Sequence, residues 1–308
     1  MKPRSVESCA AELQRRGFAD AGIARRREIA RSIQEEKRRR DLEDYTFSHF
    51  AFPPEDAIDN ENLLFEDKSG GCVLTPEVDG LGHFIAGEQI RSDIAENQAG
   101  VPMKLEIQII DTRNCQPIPD VYLEVYHCNA TGVYSGVQAQ GNGNADDASN
   151  LDATFGRGIQ QTDSNGVVTF NTIFPGHYYG VAPHIHILTH SSNDPVIAPT
   201  DDGIHVLQAT HNGRIFFDQD LINSVESQAP YHDNTQPLTL NQDDPVLTQE
   251  AEVTDPYVKY VLLGQGGVQD GILAWITVGV DPSVVHPMQY EGNGRAGNGG
   301  AGVGLRRG

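Results

Sequence analysis

The chain has 308 residues, 38% of them hydrophobic, and its 22 Lys/Arg against 43 Asp/Glu give a formal charge of −21 at pH 7. That length holds one large or two small domains and buries a core without relying on disulfides, while so acidic a body excludes nucleic acid as a partner. No run of about 18 apolar residues occurs, so no membrane span and no membrane partner are expected.

The charge is uneven. Residues 1–40 carry 12 Lys/Arg and 6 Asp/Glu and read as a helical N-terminal arm. Ser8 is placed to cap a helix whose apolar positions Leu13, Phe18, Ile23, Ile29 and Ile33 recur at helical spacing, with Gly17 and Gly22 marking a break between two shorter helices. Arg25-Arg26-Arg27 and Lys37-Arg38-Arg39-Arg40 have three readings: a solvated helix face, an arm resting on the acidic body, or a site for an anionic partner. The opening Met1–Ser8 lacks the apolar core of a signal peptide, so the sequence as given shows no export signal. Four cysteines, Cys9, Cys72, Cys115 and Cys128, and the sequon Asn129-Ala130-Thr131 suit an oxidising compartment, with four buried thiols as the alternative; four cysteines allow three disulfide pairings.

Residues 41–71 are acidic and rich in Pro and Asn, and read as a linker laid over the body. From residue 101 the period becomes two: Met103, Leu105, Ile107 and Ile109 alternate with Lys104, Glu106 and Gln108, as in a half-buried strand. Further short runs follow at Val121–His127, Val167–Thr172, His184–Thr189 and Ile272–Val280, between turn clusters such as Asp163-Ser164-Asn165-Gly166. Many short strands with Gly/Pro turns predict an all-β sandwich or barrel over 72–290. Residues 138–156 read as a long loop and the Gly-rich 291–308 as a disordered tail.

In Pro183-His184-Ile185-His186-Ile187 the two histidines, two apart in a strand, project from one face while the isoleucines face the other. The imidazoles can converge on one ion, and Tyr178 precedes them across a turn, giving a candidate N,N,O metal site. The alternative is two polar residues on a solvated strand.

The segments Cys72-Val73-Leu74-Thr75-Pro76-Glu77-Val78, Tyr126 to Gly136, Arg157-Gly158-Ile159-Gln160, Ile173 to Tyr178 and Phe216-Phe217-Asp218-Gln219-Asp220-Leu221 resemble the fungal extracellular-type intradiol ring-cleavage dioxygenase-like proteins, over nearly the whole length from Cys9 to about Asp281. The resemblance implies an intradiol-dioxygenase-like β-sandwich and a non-haem Fe(III) held by two tyrosinates and two histidines. It also implies a catecholic or polyphenolic substrate cleaved with O2. Carried over, the metal ligands are Tyr178, His184 and His186, with Tyr178 the tyrosine displaced by substrate, and Arg157 is a candidate to face the substrate. His127 and His177 fall within matched segments as structural or supporting residues. Two departures stand out. The second tyrosine is sought in the segment Leu81-Gly82-His83-Phe84-Ile85-Ala86-Gly87-Glu88, where Phe84 has no oxygen to offer, and Val181 stands where the family places an arginine.

Three readings follow from those departures. His83 acts as a substitute fourth ligand, which requires a bulged backbone because neighbouring strand residues face opposite ways. Alternatively, Tyr178, His184 and His186 form a three-ligand Lewis-acid site, with another divalent metal in place of Fe(III), serving isomerisation, cyclisation or elimination. In the third, the fold binds an aromatic ligand without turnover. The resemblance further implies a secreted protein and a homodimer contact through the N-terminal arm, against the intracellular location that the missing signal peptide suggests.

Overall fold

The computed structural model describes residues 15–43, 82–85, 88–139, 141–143, 146–190, 198–200, 203–205, 208–251 and 256–287. Cys9, Cys72, the expected linker from residue 44 onward and the expected tail at 291–308 lie outside the described residues.

Thirteen strands are described. A five-stranded sheet contains β1 (Pro102–Asp111), β2 (Gln116–Pro117), β5 (Val167–Ile173), β11 (Lys259–Leu262) and β12 (Ile272–Val280). A four-stranded sheet runs β10 (His211–Phe216), β6 (His184–His190), β3 (Tyr122–Tyr126) and β4 (Arg157–Gln161). Two small ribbons pair β7 (Ala198–Thr200) with β8 (Gly203–His205), and β9 (Gln208–Ala209) with β13 (His286–Pro287). The strand expected at Ile272–Val280 is found with those bounds, and the other four fall within two residues of their expected ends.

Alternation explains the core. Met103, Leu105, Ile107 and Ile109 of β1 meet Leu123 and Val125 of β3, Ile185 and Ile187 of β6 and Ile215 of β10 in one buried cluster. Each such side chain, fully withdrawn from water, contributes on the order of 1.5–3 kcal/mol. The opposite faces of both sheets are therefore turned outward, and each is covered by something else.

The first sheet is covered by helix α1 (Phe18–Glu43). Gly17 adopts φ +72° immediately before it, whereas Gly22 lies inside it, so the break expected at both glycines occurs only at Gly17. β1 is correspondingly not half-solvated. Glu106, on its supposed polar face, is 1% exposed and bonds Arg25 Nε at 2.8 Å and Arg26 Nε at 2.9 Å. Arg26 also lies 4.9 Å from the Trp275 ring, and Ala30 packs with Leu273 and Trp275. Of the three readings of the basic segment, Arg25 and Arg26 follow the arm resting on the body.

Two short helices complete the second layer: α2 (Gln219–Glu226), capped by Asp218 accepting from Leu221 N at 2.7 Å, and α3 (Pro245–Ala251). No described helix is long and apolar enough to cross a membrane. Cys115 is disulfide-bonded, whereas Cys128 is a buried free thiol that donates to the Gly176 carbonyl at 3.3 Å. A two-bridge framework using all four cysteines is thus excluded. The sequon asparagine is committed as well: Asn129 Oδ1 accepts from Thr131 N and Val133 N, both at 3.1 Å, and its Nδ2 donates to Gln98.

Candidate metal centre

His184 and His186 lie on the outer face of the four-stranded sheet because the intervening Ile185 and Ile187 belong to the core. The register puts four outward side chains in one row across the sheet: Arg157 opposite Tyr126, Tyr126 opposite His186, and His186 opposite Arg214. Tyr126 stacks on His186 at 4.3 Å and 5° between planes, and the Arg157 guanidinium sits 5.0 Å from the Tyr126 ring.

The two imidazoles point at each other, with Nε2 to Nε2 at 3.0 Å. His184 Nδ1 is 2.7 Å from the Ala182 carbonyl, which can only accept, so Nδ1 carries the proton. Burial, then Arg214, holds His184 well below the usual imidazole range; burial, then His184 and Arg214, does the same for His186. His184 is therefore neutral with a bare Nε2. His186 Nδ1 is buried with no hydrogen-bond partner. Two nitrogens 3.0 Å apart match neighbouring ligands at right angles on one ion with bonds of about 2.1 Å.

Two phenols complete the group. Tyr178 lies 5.8 Å from His184 by ring centroids, and Tyr134 lies 5.3 Å from Tyr178, edge to face, and 6.1 Å from His186. Tyr134 is fully buried, and among the described residues the neighbouring Tyr178 hydroxyl is the one group that acts on its own hydroxyl as a hydrogen-bond neighbour. Burial pushes Tyr134 well above its ordinary value and Tyr178 up to about 12. A buried hydroxyl left short of hydrogen bonds costs about 1–3 kcal/mol, so something must repay it.

Interlocked turns bring the phenols together. Gly132, at φ +78°, has no room for a Cβ against the His177 carbonyl, and a Cβ on Gly176 would collide with the carbonyls of Asn129 and Ala130. Only glycine lets the Tyr134 and Tyr178 turns approach this closely. His177 fastens the second turn: its Nδ1 meets Glu226 at 2.8 Å and its Nε2 donates to the Gln236 carbonyl at 2.9 Å. His127 is structural, with Nδ1 donating to the Cys128 carbonyl and Nε2 facing the Thr172 hydroxyl at 2.7 Å.

Three expectations change. Phe84 offers no oxygen, but a second phenol, Tyr134, from a turn far upstream of Tyr178, lies beside Tyr178 and His186. Phe84 is 1% exposed and packs 6.1 Å from the Tyr126 ring. His83 sits in a turn with φ +66°, so the strand rule does not apply; its ring lies against Tyr134 at 4.6 Å. Among the described residues no three His, Cys, Asp or Glu side chains gather as a metal site, and the His83 ring also lies 5.8 Å from that of Tyr178. Arg157, expected to face substrate, is instead engaged by the protein: Nε to the Ser135 carbonyl at 2.9 Å, Nη2 to the His83 carbonyl at 2.7 Å and Nη1 towards Glu88 at 3.5 Å.

Tyr134 was legible in principle. It sits in Thr131-Gly132-Val133-Tyr134-Ser135, inside the longest matched segment, but the search for the second tyrosine in the segment Leu81–Glu88 passes over it.

The chain matches no protein-family model and no curated protein. Among solved structures it is similar to the intradiol ring-cleavage dioxygenase from Tetranychus urticae, with 26% identity, TM-score 0.56, and coverage of 70% of this chain and 98% of that one. A second solved dioxygenase gives 26% identity and TM-score 0.55 over 70% of this chain and 97% of the other. Catechol 1,2-dioxygenase from Acinetobacter sp. ADP1 gives 17% identity and TM-score 0.41 over 73% and 67%. The chain has an intradiol-dioxygenase-like fold of two sheets with few helices.

Proposed function

We propose that the chain is a non-haem iron enzyme of the intradiol dioxygenase type, acting on a catecholic or polyphenolic substrate with O2, with Tyr134, Tyr178, His184 and His186 as the iron ligands. The observation that carries this reading is the gathering of two phenols, one buried and one half-buried, beside two neutral imidazoles whose Nε2 atoms are 3.0 Å apart. The donor set fits the metal: two hard phenolic oxygens suit Fe(III) better than a softer ion. When bound there, Fe(III) supplies an electron-poor centre that takes both oxygens of an ortho-diol and makes its ring reactive toward O2.

The residues divide the remaining work. His184 is held in one tautomer by the Ala182 carbonyl, which fixes Nε2 as its donor atom. Tyr126 stacks on His186 and fixes its ring plane. Tyr134 is enclosed, whereas Tyr178 is only partly buried, so of the two it is the phenolate that would take a proton from an arriving diol. Phe84, Tyr126, Leu188 and Ala209 keep water from the donor atoms.

One observation favours a second reading. Val181 brings no charge to the site, and losing an electrostatic stabiliser costs on the order of 10²–10³ in rate, which suits a diverged, non-cleaving enzyme of aromatic metabolism. Metal analysis and the visible spectrum of the purified chain, before and after catechol is added under nitrogen, separate the two. Stoichiometric iron with a phenolate-to-iron absorption that shifts on adding catechol, followed by ring-opened product when air is admitted, is the expected result. A colourless protein holding zinc supports the second reading.

A further inference from the structure

Of the two arginines described in the four-stranded sheet, Arg157 is engaged by the protein and Arg214 has donors that are not. It stands in β10 directly opposite His186, is 7% exposed, and its Nε and Nη1 are buried with no hydrogen-bond partner. Its charge is felt at His184, His186, Tyr178 and Tyr126, which places the guanidinium against the donor cluster. The carboxylate whose ionisation it influences is Glu250 of α3, and Asp244, at the approach to that helix, acts on Glu250 in turn. Asp244 is already used, accepting from Ala182 N at 2.8 Å and from Val246 N and Leu247 N. Glu250 makes no hydrogen bond to Arg214, and both its oxygens are themselves unpartnered. Arg157, at the other end of the same row, has its donors occupied.

A buried guanidinium beside His186, with two donors unpartnered among the described residues, calls for an anionic oxygen that arrives with the ligand. We propose that Arg214 is a substrate-positioning residue that holds an oxygen of the bound aromatic ortho-diol as its anion, supplying from β10 the positive charge that Val181 does not bring from the loop before the histidines. This rests on the iron reading above and assigns the cationic partner of that site.

The test uses the iron-loaded full chain with catechol under nitrogen, read by calorimetry and by the shift of the visible band, with iron content and melting temperature measured on each variant. Arg214→Gln is expected to keep its iron and to bind catechol about tenfold or more weaker, the loss of one charged hydrogen bond. Arg214→Lys, which keeps the charge, is expected to recover most of that loss. Should Arg214→Gln fail to fold with Glu250 left buried beside it, the Arg214→Gln/Glu250→Gln double variant removes both charges and carries the same comparison. Iron uptake with a catechol affinity within twofold of the parent in the glutamine variant overturns the proposal and leaves the iron reading standing. A parent chain that takes up no iron overturns the iron reading, and this proposal with it.

Discussion

At the scale of single residues, the Tyr134 hydroxyl and the Phe84 ring make opposite predictions. Among the described residues Tyr134 Oη has no hydrogen-bond neighbour beyond the Tyr178 hydroxyl, so Tyr134→Phe removes a buried polar atom at the cost of at most one weak bond, and stability should stay within about 1 kcal/mol of the parent. Iron content and the visible band should nevertheless fall sharply, a combination that a merely structural tyrosine would not produce. Phe84→Tyr should do the reverse. Its ring is 1% exposed among apolar neighbours, so a new hydroxyl there costs about 1–3 kcal/mol in chemical denaturation and adds no iron colour. If Phe84→Tyr strengthens the band while Tyr134→Phe leaves it intact, the ligand assignment is the wrong way round. The histidine pair was legible from two-residue spacing alone, since strand geometry forces such a pair onto one face. Tyr134 was not, because its position depends on two turns that meet only in three dimensions, at Gly132 and Gly176.

At the scale of elements, strand periodicity located β1, β3, β5, β6 and β12, because each alternates between the shared core and an outward face. What covers the outward face does not show in a strand's own pattern. Glu106 reads as a solvent residue in β1, yet it is buried under α1 and gripped by two arginines from the arm. Removing the carboxylate should therefore cost more than a surface charge does. Glu106→Gln leaves Arg25 and Arg26, 23% and 12% exposed, facing a neutral amide, and breaking such an ion pair costs about 3 kcal/mol when buried, less here for the partial exposure. Amide exchange in α1 and around Leu273 and Trp275 should accelerate, while iron content stays unchanged because the arm and the donor cluster lie on opposite outer faces of the sandwich. Unchanged protection of α1 in that variant would show that its docking depends on the apolar contacts of Ala30 instead.

At the scale of the whole molecule, His127 and His211 are two of the fully buried histidines that oppose acid, away from the His184–His186 pair. His127 and His211 are each brought down to about 4, by burial first, with the Arg157 charge adding to it for His127 and the His286 charge for His211. Both lie below the ordinary value of 6.5, so the folded chain binds fewer protons than the unfolded one between these limits. Their contribution is fully present above about pH 6.5 and is lost as the pH falls towards about 4, up to about 3 kcal/mol for each group. Protonating His127 also ends its role as acceptor for the Thr172 hydroxyl, which links β5 to the turn leading into Tyr134. The net charge of −21 works the other way, since acid relieves self-repulsion, but salt near 0.15 M screens exposed charges beyond about 8 Å and leaves the buried histidines untouched. Glu88 and Glu250, raised by burial to about 8, gain stability over the same fall, so the histidine contribution is read by difference: between pH 7 and pH 4.5 at that ionic strength His211→Gln should lose less melting temperature than the parent, whereas a parallel slope in that variant would place the acid sensitivity elsewhere.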